Sequence, residues 1–205
     1  MMKKILITGG NGDLAKMLIK QLSDSYIIEA PLRDELDVTS INSVDQFFKN
    51  REFDIVINSA GTLYSSTIID SDPELWIKDI NVNLIGTYLV TRSALLKNKD
   101  TLIINISSTA AFNSYNDWTS YCSSKAGVIK ISQGLQKDNY NVVTLCPGAI
   151  DTKLRDGLSI INSNVMTLEE GTAPIIKAIA LEYNNGDIIF YRKNMLEINP
   201  NYNQL

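Results

Sequence analysis

The chain has 205 residues, of which 44% are hydrophobic and 20% are charged, a composition that is ordinary for a globular domain. A net charge of −4 and the lack of a basic run argue against nucleic acid or a membrane surface as partner, and no apolar stretch reaches the ~20 residues of a membrane span. The absence of histidine excludes a Ser-His-Asp triad and the usual zinc sites. Two cysteines fit a reducing cytoplasm. We therefore expect one cytoplasmic domain over residues 1–205, without a metal.

The first predicted strand, Lys3–Thr8, leads into the glycine-rich turn Gly9–Ala15 and then into an amphipathic helix that reaches Leu22. This order of elements is the context in which such a turn binds a dinucleotide. Glycines let the backbone approach a pyrophosphate, and the start of the helix offers free N–H groups. A tight turn without a ligand is the alternative, and glycines alone do not decide between the two.

Strands and helices alternate along the rest of the chain. Asp72, Pro73 and Glu74 mark a helix start, because they supply a cap, a first-turn proline and an acid at the positive end of the dipole. The predicted strands are Tyr26–Ala30, Asp54–Asn58, Ile103–Ser108, Val142–Cys146 and Gly186–Tyr191, and the predicted helices are Ser40–Arg51, 72–96, one carrying Tyr121, and one opened by the capping box Thr167–Glu170. This alternation predicts an α/β fold, a doubly wound and mostly parallel β-sheet of the Rossmann type with helices on both faces. The polar tail from Arg192 is expected to be loosely held.

The stretch from Ile103 to Lys125 carries the residues for chemistry. Its strand ends in paired serines, the second of which is Ser108, so hydroxyls are expected at the carboxyl edge of the sheet. Tyr121 and Lys125 are four residues apart and share one face of a helix. A phenol with a free pKa of ~10 becomes a usable acid or base when a nearby ammonium lowers that pKa. A surface Tyr–Lys pair is the alternative, but a serine at a strand end thirteen residues before the tyrosine makes it less common.

With this spacing of Ser, Tyr and Lys, the chain resembles the short-chain dehydrogenase/reductase family over nearly its whole length. The resemblance implies NAD(P)-dependent hydride transfer between nicotinamide and a carbonyl or alcohol carbon of a small molecule. It implies that Tyr121 donates or accepts the proton, while Lys125 lowers the pKa of the phenol and holds the ribose. Ser108 would hydrogen-bond the substrate oxygen. Asn83 would support a water relay to the lysine and kink its helix, although Asn81 is a nearby alternative.

The resemblance also assigns the residues that hold the cofactor. The glycine turn reads T-G-x-x-G-x-x-A and is closer to the family's extended branch than to its simpler one. The positions that match cofactor motifs are Thr8, Gly9, Asn11, Gly12, Asp13, Leu14, Asp37, Val38, Asn58, Ala60, Gly61, Tyr121, Lys125, Pro147, Gly148, Ile150 and Thr152. Arg33 follows the second strand and suits the 2′-phosphate of NADP, with a solvated surface arginine as an equal alternative. Because no acid ends the predicted strand, we expect NADP rather than NAD.

Three further expectations follow from the resemblance. A short substrate lid is expected over residues 149–166, and a homodimer or homotetramer is expected because relatives commonly pair through the long middle helices. A non-catalytic NAD(P)-binding sensor is the alternative from another class, since a fold does not fix an activity. A sugar-nucleotide epimerase or dehydratase is a further alternative suggested by the glycine pattern, although the chain is short for the extra substrate domain of such enzymes.

Overall fold

The computed structural model describes residues 2–156 and 162–201. The strands are β1 (Lys4–Ile7), β2 (Ile27–Glu29), β3 (Ile55–Asn58), β4 (Leu102–Ile106), β5 (Val142–Pro147), β6 (Ile188–Arg192) and β7 (Met195–Ile198). The α-helices are α1 (Asp13–Leu22), α2 (Ile41–Phe48), α3 (Pro73–Ile80), α4 (Gly86–Lys97), α5 (Thr119–Lys137) and α6 (Leu168–Ile179). A π-helix, Asn81–Ile85, joins α3 to α4, and two 3₁₀ turns cover Thr109–Ala111 and Lys153–Arg155.

The strands form one seven-stranded sheet in the order β2-β1-β3-β4-β5-β6-β7. Neighbouring strands are parallel except for β6 and β7, which are antiparallel. The chain passes from β1 to β2 on one side and then crosses to β3 on the other, so the order reverses between β1 and β3. The predicted doubly wound, mostly parallel sheet is confirmed, and its switch point is the crevice in which such sheets bind ligands.

Central strands are apolar because both of their faces are covered. Every residue of β3 and β4 is buried. Within β1, Ile5 and Ile7 pack in the core cluster that includes residues of α1 and α6, whereas Leu6 packs with residues of α2 and α4. This alternation follows from the two-residue period of a strand. The two helical layers therefore hold the strand ends in a fixed order, which positions the site.

The structure corrects two sequence predictions. The described chain after Arg192, up to residue 201, is not loose, because it turns at Asn194 in the left-handed region (φ 61°) and forms β7 against β6. Asn199 closes this hairpin by exchanging hydrogen bonds of 2.8 and 2.9 Å with the backbone of Ile188. The polar composition of the tail hid the strand, since asparagine is typical of the turn that starts it. The second strand ends at Glu29, one residue earlier than predicted.

Part of the predicted lid lies outside the described residues, which omit 157–161. Its described parts are the 3₁₀ turn Lys153–Arg155 and a parallel bridge between Ile150 and Met166. Across the described ranges, none of the helices combines the length and the apolar character that crossing a bilayer would require.

Gly10→Ala tests how closely the glycine turn packs on the end of β2. A Cβ at Gly10 would lie 2.0 Å from the carbonyl oxygen of Ala30, and the Gly10 N–H donates to the oxygen of Pro31 at 3.2 Å. Because backbone cannot move aside cheaply, we expect the free energy of unfolding to fall by ~1–3 kcal/mol in urea titrations.

The matched control is Gly134→Ala in α5, where an added Cβ has no heavy atom within 4 Å. It should raise stability by ~0.5–1 kcal/mol, because alanine has the higher helix propensity. If both variants change stability in the same direction and by the same amount, the close packing of Gly10 against the backbone of Ala30 is contradicted.

Candidate active site

A cleft of about 450 Å³ opens at the carboxyl edge of the sheet. The turn after β1, the ends of β3, β4 and β5, and the start of α5 supply its walls. The predicted site residues that line it are Asn11, Gly12, Asp13, Leu14, Gly61, Ser108, Tyr121, Lys125, Pro147, Gly148, Ile150 and Thr152. The structure therefore brings most of the predicted site to one place, because parallel strands end at the same edge.

The glycine turn presents the start of α1 to this cleft. Gly9 has φ +74° and lies so close to Ala60 that a Cβ would be 2.9 Å from its Cα. Gly12 is the N-cap of α1, and among the described residues no side chain caps that end of the helix. A Cβ at Gly12 would meet only the oxygen of Gly9, at 3.2 Å. Uncapped N–H groups and a positive dipole end, with open space before them, fit the pyrophosphate of a dinucleotide.

The acidic residue of the turn, Asp13, joins two walls of the cleft. Its carboxylate accepts a hydrogen bond of 2.7 Å from the backbone N–H of Lys153, which follows β5. The predicted loop Pro147–Thr152 is thereby held next to the glycine turn.

Several predicted cofactor residues tie the strand ends together and do not line the cleft. The hydroxyl of Thr8 accepts hydrogen bonds of 3.0 Å from the N–H groups of Ser59 and Ala60. Asn58 is buried and donates to Thr91 and Asn105 at 3.0 and 2.8 Å. These hydrogen bonds compensate for the burial of the Thr8 hydroxyl and the Asn58 amide nitrogen, whereas the side-chain oxygen of Asn58 is buried without a partner among the described residues. Thr8 and Asn58 therefore support the strand ends that form the cleft without lining it.

The residues after β2 also lie apart from the cleft. The side chain of Arg33 is 74% exposed and pairs with Asp37 at 3.4 Å. Asp37 accepts hydrogen bonds from the backbone and hydroxyl of Thr39, and Val38 is buried next to Gly86. The expectation that no acid ends the second strand is wrong, because β2 ends at Glu29. Arg51 engages that carboxylate at 3.1 Å.

Ser108, Tyr121 and Lys125 meet inside the cleft. Ser108 follows β4, where its hydroxyl accepts from the N–H of Ala110 at 3.1 Å. Tyr121 and Lys125 are one turn apart on α5 and only 7% and 5% exposed. The ammonium of Lys125 donates to the carbonyl oxygen of Ile106 at 2.9 Å and lies 5.5 Å from the centre of the Tyr121 ring.

Burial dominates the electrostatics of this pair. It raises the pKa of Tyr121 to about 12, although the Ser108 hydroxyl acts in the opposite direction. Burial lowers the pKa of Lys125 to about 8, and the negative charge of Asp79 opposes that shift. The predicted net lowering of the phenol pKa is therefore wrong for this structure, because burial outweighs any effect of the Lys125 ammonium. Both side chains are buried, so desolvation of the phenolate prevails.

Asn83 lies in the π-helix and is buried, whereas Asn81 is exposed, which favours the first of the two alternatives. The side-chain oxygen of Asn83 accepts a hydrogen bond of 2.8 Å from the N–H of Thr62. Its amide donates to the oxygen of Thr62 at 2.9 Å and to the hydroxyl of Ser124 at 3.0 Å. It lies beneath Gly61, whose Cβ position is 3.3 Å from the Asn83 oxygen and 3.7 Å from the Lys125 ammonium. The residue predicted for the relay therefore stands beside the lysine.

Sequence reasoning missed an aromatic wall beside Tyr121. The Trp118 ring is 5.9 Å from the Tyr121 ring and nearly perpendicular to it, and Tyr115 is 5.3 Å from Trp118. Leu63 and Leu154 also line the cleft. In the sequence, this wall is indicated by the aromatic residues Tyr115 and Trp118, which stand in the polar passage before Tyr121. Within the described ranges, no three His, Cys, Asp or Glu side chains come together as a metal site.

Comparison with known proteins places the chain in a family. A family model described as short chain dehydrogenase matches residues 3–163. An uncharacterised oxidoreductase of Staphylococcus aureus (strain MRSA252) is 33% identical over 163 residues, covering 74% of this chain and 69% of that protein. Another, from Staphylococcus saprophyticus, is 31% identical over 162 residues, with the same coverage of 74% and 69%. The chain belongs to the short-chain dehydrogenase/reductase family, and it is an NAD(P)-dependent oxidoreductase.

Solved structures agree on the fold. A small-chain dehydrogenase in complex with NADPH superposes with a TM-score of 0.83 at 17% identity, covering 93% of this chain and 97% of that one. A 4-hydroxyisoleucine dehydrogenase complexed with NADH gives 0.78 at 22% identity, with coverage of 91% and 95%.

Gly12→Val tests whether the start of α1 holds the cofactor. The extended backbone of Gly12 accommodates valine, so the variant should fold, but its side chain would occupy the space in front of the helix. We expect NADPH affinity to fall at least about tenfold by calorimetry, equivalent to ~1.4 kcal/mol. Gly12→Ala is the graded control and should lose less. Unchanged affinity in a folded Gly12→Val protein would contradict the assignment.

Proposed function

We propose that this protein reduces or oxidises a small carbonyl or alcohol substrate with Tyr121 as the proton donor or acceptor. One observation carries the proposal: Ser108, Tyr121 and Lys125 converge in a cleft that also receives the uncapped start of α1. A non-catalytic sensor needs the nucleotide end of this cleft but has no need of the buried tyrosine and lysine.

Each residue has a distinct role in this proposal. Tyr121 gives its hydroxyl proton to the carbonyl oxygen in reduction and recovers it from the alcohol in oxidation. Ser108 hydrogen-bonds the same oxygen and orients it. The Lys125 ammonium stabilises the phenolate that remains and reaches the ribose, while Asn83 holds the Thr62 loop and Ser124 beside it. Nicotinamide, when bound in this cleft, would supply or accept the hydride.

The substrate side of the cleft suggests a class of substrate. Trp118 packs against Tyr121, Tyr115 packs against Trp118, and the apolar side chains of Leu63 and Leu154 line the same cleft. A flat apolar or aromatic group attached to the carbonyl carbon would pack on this wall and exclude water from the reacting atoms. We therefore propose aromatic or other apolar aldehydes and ketones in preference to polyhydroxylated sugars.

Tyr121→Phe removes one hydroxyl and little volume. Because the variant lacks the proposed proton donor, we expect turnover to fall by a factor of ~10² to 10⁴ while NADPH affinity stays within about twofold. Oxidation of NADPH with 4-nitrobenzaldehyde measures the first, and calorimetry measures the second. Tyr88→Phe, at an exposed position of α4, is the matched control. Wild-type protein that binds NADPH but consumes none with a panel of aldehydes and ketones would favour the sensor.

We propose NADP(H) as the preferred cofactor. Arg33 is the exposed cation nearest the end of β2 along the chain, and its contact with Asp37 at 3.4 Å is long enough to be exchanged for a phosphate. Glu29, the acid that would otherwise bind a ribose diol, is already engaged by Arg51. Both observations favour a 2′-phosphate over a free 2′-hydroxyl.

Arg33→Ala tests this preference. A charge-assisted hydrogen bond contributes ~1.5–3 kcal/mol, so we expect NADPH affinity to fall roughly ten- to a hundredfold while NADH affinity stays nearly constant. Higher salt should weaken NADPH binding by the wild type selectively, since the contact is exposed. Lys137→Ala, an exposed cation at the end of α5, controls for net charge. If the wild-type protein binds NADH as tightly as NADPH, the proposed preference for NADP(H) is wrong.

We further propose that the protein acts in the cytoplasm as a homodimer or homotetramer formed through α4 and α5, and that residues 1–205 fold as one domain. The support is the family and the exposure of Ile85, Tyr88 and Leu96 along α4 and the segment before it. Light scattering of the purified chain tests the oligomeric state.

A further inference from the structure

A carboxylate that the family's catalytic set does not include lies buried beside the active site. Asp79, on α3, is 1% exposed. One of its oxygens accepts from the Thr62 hydroxyl at 2.6 Å. The other accepts from the Tyr64 N–H at 2.9 Å and from the Ser120 hydroxyl at 2.7 Å. These three hydrogen-bond donors stabilise the ionised form of the buried carboxylate.

Asp79 and Asn83 both form hydrogen bonds to α5, the helix that carries Tyr121 and Lys125. They are four residues apart and face α5, where Asp79 binds Ser120 and Asn83 binds Ser124. Ser120 immediately precedes Tyr121 and Ser124 immediately precedes Lys125. Tyr121 and Lys125 are therefore each preceded by a serine whose hydroxyl is hydrogen-bonded to Asp79 or Asn83. Both anchors also hold Thr62, so the loop from Gly61 to Tyr64 is fixed to α5 through them.

The charge of Asp79 distinguishes it from an ordinary helix-packing residue. The ion pairs found among the described residues, Arg33–Asp37 and Arg51–Glu29, do not include it. A buried carboxylate without a cation in contact is costly, and a neutral serine or asparagine would serve if only packing were needed. Its field reaches the two catalytic groups, because it raises the pKa of both Tyr121 and Lys125.

The other titratable groups near this pair are uncharged or remote. Cys122 on α5 and Cys146 on β5 act on Tyr121, and Cys146 also acts on Lys125. Burial raises the pKa of both thiols, that of Cys146 to about 12, so they are neutral in the physiological range. Glu74 and Lys78, on the same helix as Asp79, are exposed. Within the described part of the chain, Asp79 is thus the carboxylate that acts on both catalytic groups.

We propose that Asp79 is a positioning residue that anchors α5 and keeps Lys125 protonated beside Tyr121, so that the resting site is prepared to give a proton to a carbonyl oxygen. The inference rests on the proposed function for its catalytic consequence, but the state of Lys125 can be measured without catalysis. Removal of the negative charge makes deprotonation of both groups easier, so both titrations should move to lower pH.

The test is Asp79→Asn in the full chain. The amide keeps the shape and one acceptor and loses the charge. NMR of ¹³C-labelled lysine, with the Lys125 signal assigned by its loss in Lys125→Met, follows the titration in the absence of cofactor. We expect the wild-type midpoint near the pKa of about 8, and a decrease of about one pH unit in the variant. The pH at which reduction of 4-nitrobenzaldehyde by NADPH falls to half should move down with it.

Ser120→Ala is the matched control, because it removes one hydrogen bond to Asp79 and leaves the charge. It should lower the maximal rate without moving either midpoint. Asp79→Ser, a second neutral variant, makes the same comparison if asparagine is not tolerated. A Lys125 midpoint that is unchanged in a neutral variant, or that moves equally in Ser120→Ala, overturns the proposal. A shifted midpoint in a protein that reduces no carbonyl upholds Asp79 and refutes the proposed reaction.

Discussion

The ammonium of Lys125 is buried, and several surrounding elements supply the hydrogen bonds and the charge that stabilise it. A desolvated cation is tolerated only where hydrogen bonds and charge replace water. The carbonyl oxygen of Ile106, at the end of β4, accepts a hydrogen bond of 2.9 Å from this ammonium. The Ser107 hydroxyl fixes the lysine backbone at 2.8 Å, and the Asp79 carboxylate supplies the opposite charge from α3. Strand β4, helix α3 and helix α5 must therefore keep their mutual register for the lysine to remain charged.

That register is set by polar contacts through the centre of the sheet. Asn58 on β3 donates to Asn105 on β4 at 2.8 Å, and Asn105 donates to Ser132 on α5 at 2.9 Å. Apolar packing alone tolerates small slips of a helix over a sheet, whereas a buried amide left without its partner costs ~1–3 kcal/mol. This chain of amides and hydroxyls thus links the strand that delivers Ser108 to the helix that carries Tyr121.

The sequence predicts this architecture well wherever local patterns decide the outcome. Apolar runs and capping residues locate most elements, and the capping box at Thr167 is present in the structure. The Ser–Tyr–Lys spacing locates the centre of the cleft. What it misses depends on distant contacts: the hairpin strand β7 needs β6 as its partner, and the role of Asp79 needs Thr62, Tyr64 and Ser120. The pKa of Tyr121 was mispredicted for the same reason, since burial cannot be seen in a four-residue spacing.

A raised phenol pKa has a direct consequence for how such a site works. With a pKa of about 12, Tyr121 holds its proton throughout the physiological range, so in the free protein it is an acid and not a base. Reduction can begin from this state, because the proton is already in place. Oxidation requires a phenolate, which is formed only at the cost of its desolvation. The Lys125 ammonium and the Ser108 hydroxyl are the groups positioned to offset that cost, and Asp79 works against them by adding a negative charge. The same carboxylate that stabilises the buried cation therefore biases the pair toward proton donation.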